Sequence, residues 1–154
     1  MPVAGDGSNA LGNGGSTQAK GMRLLTIRHK FAWDFDIAKS QLIYGFDALD
    51  PRSRSFNMIR AQLMELKSEH GWRLIGVVSA TPNVGKSFIA ANIAAALSRE
   101  PSLDTFAIDL DLRRASLSKM FGIEPKISLL SYLAEEAGAD SPSAYLLDNE
   151  QLTV

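Results

Sequence analysis

The tripeptide Gly85-Lys86-Ser87 stands between two segments of different periodicity, and that placement limits the possible folds more than any other feature. Before it, Leu74, Ile75, Val77 and Val78 form a nearly continuous apolar run, the pattern of a strand buried on both faces of a parallel sheet. After it, Lys86 to Arg99 reads as an alanine-rich helix with Phe88, Ile89, Ile93 and Leu97 available for packing. Asn83 and Gly85 make the turn between them. In a strand–turn–helix unit of this kind, backbone N–H groups and the helix dipole converge on phosphate oxygens. The full segment, Ala80 to Ser87, reads ATPNVGKS. Gly85 lets the backbone approach closely, Lys86 can bridge β- and γ-phosphates, and the Ser87 hydroxyl can ligate Mg²⁺. Asn83, Val84 and Phe88 complete the expected nucleotide contacts. The strict pattern has glycine where this chain has Ala80, and the competing reading is a surface turn with a chance lysine.

The rest of the chain is organised around this unit. Six of the twelve glycines fall within the first 21 residues, so 1–21 is expected to be a flexible tail. Residues 22–49 read as an accessory or docking segment, with a strand near Leu24 to Ile27 and the aromatics Phe31, Trp33 and Phe35 among charges. Asp50-Pro51 is a helix-start signal. Phe56, Ile59, Leu63 and Leu66 then recur at helical spacing, predicting an amphipathic helix from Pro51 to His70 that ends at Gly71. A second strand is expected over Thr105 to Asp111, helices around Ser116 to Phe121 and Ser128 to Glu136, and a third strand beginning at Gln151 to Val154. Residues 50–154 therefore read as the N-terminal part of an α/β domain.

Composition narrows the function classes. The 154 residues carry a formal net charge of −1, which gives no electrostatic reason to expect nucleic acid or an anionic membrane as the main partner. The absence of cysteine excludes disulfides and thiolate metal sites and fits a reducing cytoplasm. No uncharged apolar run approaches the ~18 residues of a membrane span. His29 and His70 lack the spacing of a metal pair, and Trp33 and Trp72 read as packing residues.

A second motif, FAIDLDLRR, covers Phe106 to Arg114. Asp109 and Asp111 stand at the C-terminal end of the second expected strand, where ligands gather in open parallel sheets. Two residues apart, they point to the same side of a strand. They can hold Mg²⁺ through water or accept a proton from an attacking hydroxyl; the competing reading is a solvated strand end with Asp111 capping the turn. Arg113 and Arg114 suit either phosphate contact or a solvated turn.

Together, SATPNVGKSFIAANIAAALS and FAIDLDLRRASLSKMFGI resemble the bacterial tyrosine kinases of capsular and exopolysaccharide synthesis, which carry a Walker A motif and a Walker A′ motif of the form I-D-x-D-x-R. The resemblance spans about Asp50 to Val154 and is specific over Leu74 to Ile123. It implies a P-loop NTPase-like parallel sheet flanked by helices, with ATP and Mg²⁺ held by Lys86 and Ser87, and Asp109 and Asp111 serving the metal or the base. It further implies an autokinase regulating polysaccharide biosynthesis and export, a membrane co-polymerase or activator partner, homo-oligomers, and a cytoplasmic location at the inner face of the membrane. Related partition and septum-positioning ATPases have a lysine where this chain has Thr81, which favours the kinase branch.

Three departures matter. Of the family's E-x-x-R-x-x-R helix motif, the equivalent positions are Arg54, Asn57 and Arg60, so only the last arginine matches. The family's Walker B strand is not found before Val154, nor is its tyrosine-rich tail; Tyr44, Tyr132 and Tyr145 form no cluster and read as packing residues. The α/β domain is accordingly expected to be incomplete at its C-terminus and inactive by itself. The alternatives are a partner-switching P-loop ATPase without kinase activity, or a truncated, non-catalytic interaction protein docking through the Pro51 to His70 helix.

Overall fold

The computed structural model describes residues 28–136, 142–147 and 151–154; the tail expected over 1–21 and the strand expected over Leu24 to Ile27 lie outside them. Strand β1 covers Arg28–Phe31 and leads into a short helix, α1 (Phe35–Ser40), capped by the Asp34 carboxylate on the Asp36 N–H. Asp50 accepts a hydrogen bond from the Arg52 N–H and starts a 3₁₀ turn at Pro51–Ser53, which continues as α2 (Arg54–His70). Gly71, at φ 68°, closes α2 in the left-handed conformation that glycine adopts without a Cβ penalty. The helix signals over 51–71 thus hold in detail.

Helix α3 (Lys86–Ser98) is followed by β2 (Thr105–Phe106), α4 (Leu117–Met120), α5 (Leu129–Leu133), β3 (Ala144–Leu147) and β4 (Leu152–Thr153). Among the described residues the strands form one mixed sheet in the order β1-β3-β4-β2. The β1–β3 and β2–β4 pairs are parallel, with Arg28 opposite Ala144 and Thr105 opposite Leu152. β3 and β4 run antiparallel, joined by reciprocal bonds between Tyr145 and Val154 at 2.8 and 2.9 Å. The protein is α/β as expected, but its sheet is mostly rather than wholly parallel.

The apolar run before the loop departs most from expectation. Leu74 to Val78 forms no strand: Leu74 is 90% and Val78 89% exposed, and no ladder bond pairs this segment with any described residue. A parallel strand gains burial only from neighbours on both edges and helices on both faces. Pattern alone cannot supply those neighbours. The second expected strand is likewise shorter. Thr105–Phe106 pairs with β4, the Ala107 N–H still reaches the Thr153 carbonyl at 2.8 Å, and beyond that the ladder stops, leaving Ile108 and Leu110 exposed.

The core lies where α3 meets the segment before α2. Ala38, Ile43 and Phe46 pack with Ala91, Ala94 and Ala95, and with Leu117, Phe121, Ile123, Leu147 and Leu152. Residues 28–49 therefore share one core with α3. Its small residues, not Phe88, Ile89 and Ile93, are the deeply buried ones, and they permit close approach: a Cβ on Gly45 would sit 2.2 Å from the Asn92 carbonyl oxygen. Asn92, fully buried, ties the two segments together. Its Oδ1 accepts from the N–H groups of Tyr44 and Gly45, and its Nδ2 donates to the carbonyls of Leu42 and Phe88.

Other residues behave as packing groups. Trp33 lies 4.2 Å from Phe46 at the core edge, while Trp72 is exposed and stacks on His70. Tyr145 is buried against Phe31 and His29, and Tyr44 lies under the Arg52 guanidinium. On α2, Asn57 accepts from Arg99 and Arg60 pairs with Glu100, so this face is fastened to the end of α3 within the chain.

Candidate functional site

Gly85 stands at φ 88° immediately before α3 and Asn83 at φ 62°, two left-handed residues that turn the chain sharply into the helix. Gly85, at the N-cap, has no side chain with which to cap the first turn. The opening N–H groups of an α-helix lack intrahelical partners and carry the positive end of the dipole. Lys86 and Ser87 extend from this turn into a cleft of about 350 Å³. Its walls come from the 79–88 loop (Ser79, Pro82, Asn83, Gly85, Lys86, Ser87, Phe88) and from Asp111, Arg114 and Ser116 on the turn after β2.

Three side-chain bridges join those walls. The Lys86 ammonium donates to the Asp111 carboxylate at 3.0 Å. The Ser87 and Ser116 hydroxyls lie 2.7 Å apart, and Arg114 donates to the Asn83 side-chain carbonyl. The Lys86 hydrogen bond is the main cause holding the Asp111 carboxyl below its ordinary value; the Lys86 charge and the Arg114 backbone N–H act in the same direction.

Of the residues expected to contact a nucleotide, Asn83, Gly85, Lys86, Ser87 and Phe88 line the cleft, whereas Val84 is exposed and does not. Asp111 faces Lys86. Asp109 does not line the cleft, and its two oxygens serve the backbone: Oδ1 accepts from the Asp111 N–H and Oδ2 from the Leu117 N–H, each at 2.9 Å. The two carboxylates therefore have different partners, because the ladder ends before residue 109 and the chain turns there. Asp109 shapes the turn that presents Asp111. Ser116 was not singled out from the sequence; a hydroxyl 29 residues away has no periodic relation to Ser87 that could reveal it.

The oxygen donors lining the cleft include the hydroxyls of Ser79, Ser87 and Ser116 and the Asp111 carboxylate, hard ligands of the kind Mg²⁺ takes alongside phosphate oxygens. No group of three or more histidine, cysteine, aspartate or glutamate side chains gathers as a metal cluster among the described residues. No helix among them is long and apolar enough to cross a membrane.

No family model and no solved structure matches the chain. Three known proteins are similar over part of it. The "Putative tyrosine-protein kinase EpsB" of Ralstonia nicotianae (strain ATCC BAA-1114 / GMI1000) is 34% identical over 85 residues, which are 55% of this chain and 11% of that protein. The protein of the same name from Ralstonia solanacearum gives the same identity and coverage. The "Succinoglycan biosynthesis transport protein ExoP" of Rhizobium meliloti (strain 1021) is 42% identical over 65 residues, 42% of this chain and 8% of its own length. The matched regions thus span about a tenth of the length of these relatives, two of them named as tyrosine-protein kinases and one as a succinoglycan biosynthesis transport protein.

Proposed function

We propose that the cleft binds the phosphate chain of ATP with Mg²⁺, and that the chain supplies the nucleotide-binding part of a tyrosine-protein kinase in exopolysaccharide biosynthesis and export. The observation that carries this reading is the entry of Lys86 and Ser87 into one cleft from the first turn of α3, whose N-cap residue, Gly85, has no side chain to cap it. An ammonium, a hydroxyl and helix-start N–H groups together suit a phosphate. In this reading Lys86 would neutralise phosphate oxygens, Ser87 and Asp111 would hold the metal, and Arg114 would add a second cation among the lining residues. The bound Mg²⁺ supplies neutralisation of the charge that develops during phosphoryl transfer. Asp111 is the candidate proton acceptor for an attacking hydroxyl, and Asp109 positions it.

A P-loop NTPase-like arrangement, a cytoplasmic location at the inner membrane face, a polysaccharide co-polymerase partner and self-association belong to the same proposal. Their support is the similarity to proteins named for kinase activity and polysaccharide transport. The test is calorimetric titration of the chain with ATP and Mg²⁺. Lys86→Ala should weaken binding by about 10- to 100-fold, as expected for a charge-assisted contact of about 1.5–3 kcal/mol. Equal affinity in a folded Lys86→Ala protein would exclude the cleft as the phosphate site.

A further inference from the structure

The cleft that would receive a phosphate already contains an anion of its own. Asp111 is the single carboxylate among the residues lining it, and it lies against Lys86, the cation placed on the first turn of α3. The contact is built rather than incidental. Asp109 takes the N–H groups of both Asp111 and Leu117 and so fixes the turn, and the Arg114 N–H donates to the Asp111 carbonyl at 3.0 Å. The Arg114–Asn83 and Ser116–Ser87 bridges hold the same turn against the loop on either side. All three polar side chains that the loop directs at this turn, those of Asn83, Lys86 and Ser87, are therefore engaged by it.

We propose that Asp111 is a built-in competitor for Lys86, occupying the ammonium so that a phosphate must displace the carboxylate to bind. This rests on the reading of the cleft as a phosphate site and adds a restraint within it. Two anions cannot share one ammonium at hydrogen-bond distance without repelling each other, so the carboxylate lowers the affinity for any phosphate arriving without a cation. The restraint favours a neutralised phosphate chain over the bare one. It also assigns Asp111 a part in binding that is separate from any part in transfer.

The experiment titrates the full chain with ATP in EDTA, so that no divalent cation intervenes. Asp111→Asn keeps the shape of the side chain and removes its charge. It should tighten metal-free ATP binding by about two- to fivefold, the range of a partly exposed ion pair. In a Lys86→Met background the same substitution should give a clearly smaller gain, because only direct repulsion between carboxylate and phosphate remains and the competition for the ammonium is gone. Affinity equal to or below the parent's, or a gain of undiminished size without Lys86, would overturn the proposal. If neither the parent nor Asp111→Asn binds ATP with or without Mg²⁺, the phosphate-site reading fails and takes this inference with it. Thermal unfolding monitors each variant. Asp111→Ser is the second variant, and loss of the fold in both would show Asp111 to be structural and overturn the proposal as well.

Discussion

Replacing Asn92 with alanine should destabilise the protein by about 2–4 kcal/mol, and the structure shows where that energy lies. The Asn92 side chain is fully buried and makes four hydrogen bonds. Two of its partners are backbone donors, the Tyr44 N–H at 2.7 Å and the Gly45 N–H at 3.1 Å. Gly45 is buried against α3, so its N–H cannot exchange Asn92 for water, and an unsatisfied buried donor costs about 1–3 kcal/mol. Tyr44 is only half-buried, so losing its bond costs less, about 0.5–1.5 kcal/mol. The carbonyls matter least, because the Phe88 oxygen keeps its place in the helical ladder. The assay is urea unfolding followed by Trp33 fluorescence, with Trp72→Phe as the parent background, since Trp33 lies on the core residue Phe46. The expected result is a lower midpoint with an unchanged slope. A change within about 0.5 kcal/mol, the usual range for surface substitutions, would refute the view of Asn92 as the tie between residues 42–45 and α3.

Gly45→Ala should cost about 1–3 kcal/mol or more, because its Cβ would meet the Asn92 carbonyl oxygen at 2.2 Å and helix backbone cannot yield cheaply; wild-type stability in that variant would contradict the close approach. Asp109→Asn should lower stability by about 1–2 kcal/mol, since an amide retains one acceptor where the carboxylate serves two N–H groups, and a melting temperature equal to the parent's would place the residue outside the turn's support. The Asp50 carboxyl, lowered to about 2 chiefly by its hydrogen bonds from Arg52, should show that midpoint in an NMR titration and return toward 3.8 in Arg52→Ala. Its folded-state value is depressed, so its contribution to stability is complete above the ordinary carboxylate range and is lost as pH falls toward 2. A midpoint at or above 3.8 in the parent would show that the pairing does not persist in solution.

Local signals were sufficient wherever neighbours in sequence settle the matter. Asp50-Pro51 and Gly71 bracketed the 51–70 helix because capping and left-handed termination involve only adjacent residues. Gly85, Lys86 and Ser87 could be placed at a helix start for the same reason. What depends on partners far along the chain was not legible. The apolar run Leu74 to Val78 has the composition of a buried strand, yet a strand exists only where another backbone meets it, and among the described residues none does. β3, 113 residues beyond the end of β1, pairs with that strand through contacts that no local period encodes. Asp109 and Asp111, alike in sequence, acquired separate partners once the chain turned between β2 and α4: backbone N–H groups for one, the Lys86 ammonium for the other. The amino-acid sequence by itself determined the loop, its helix and the candidate cation. Only the tertiary structure decided which carboxylate faces that cation, because the choice is made by a turn whose geometry depends on long-range pairing.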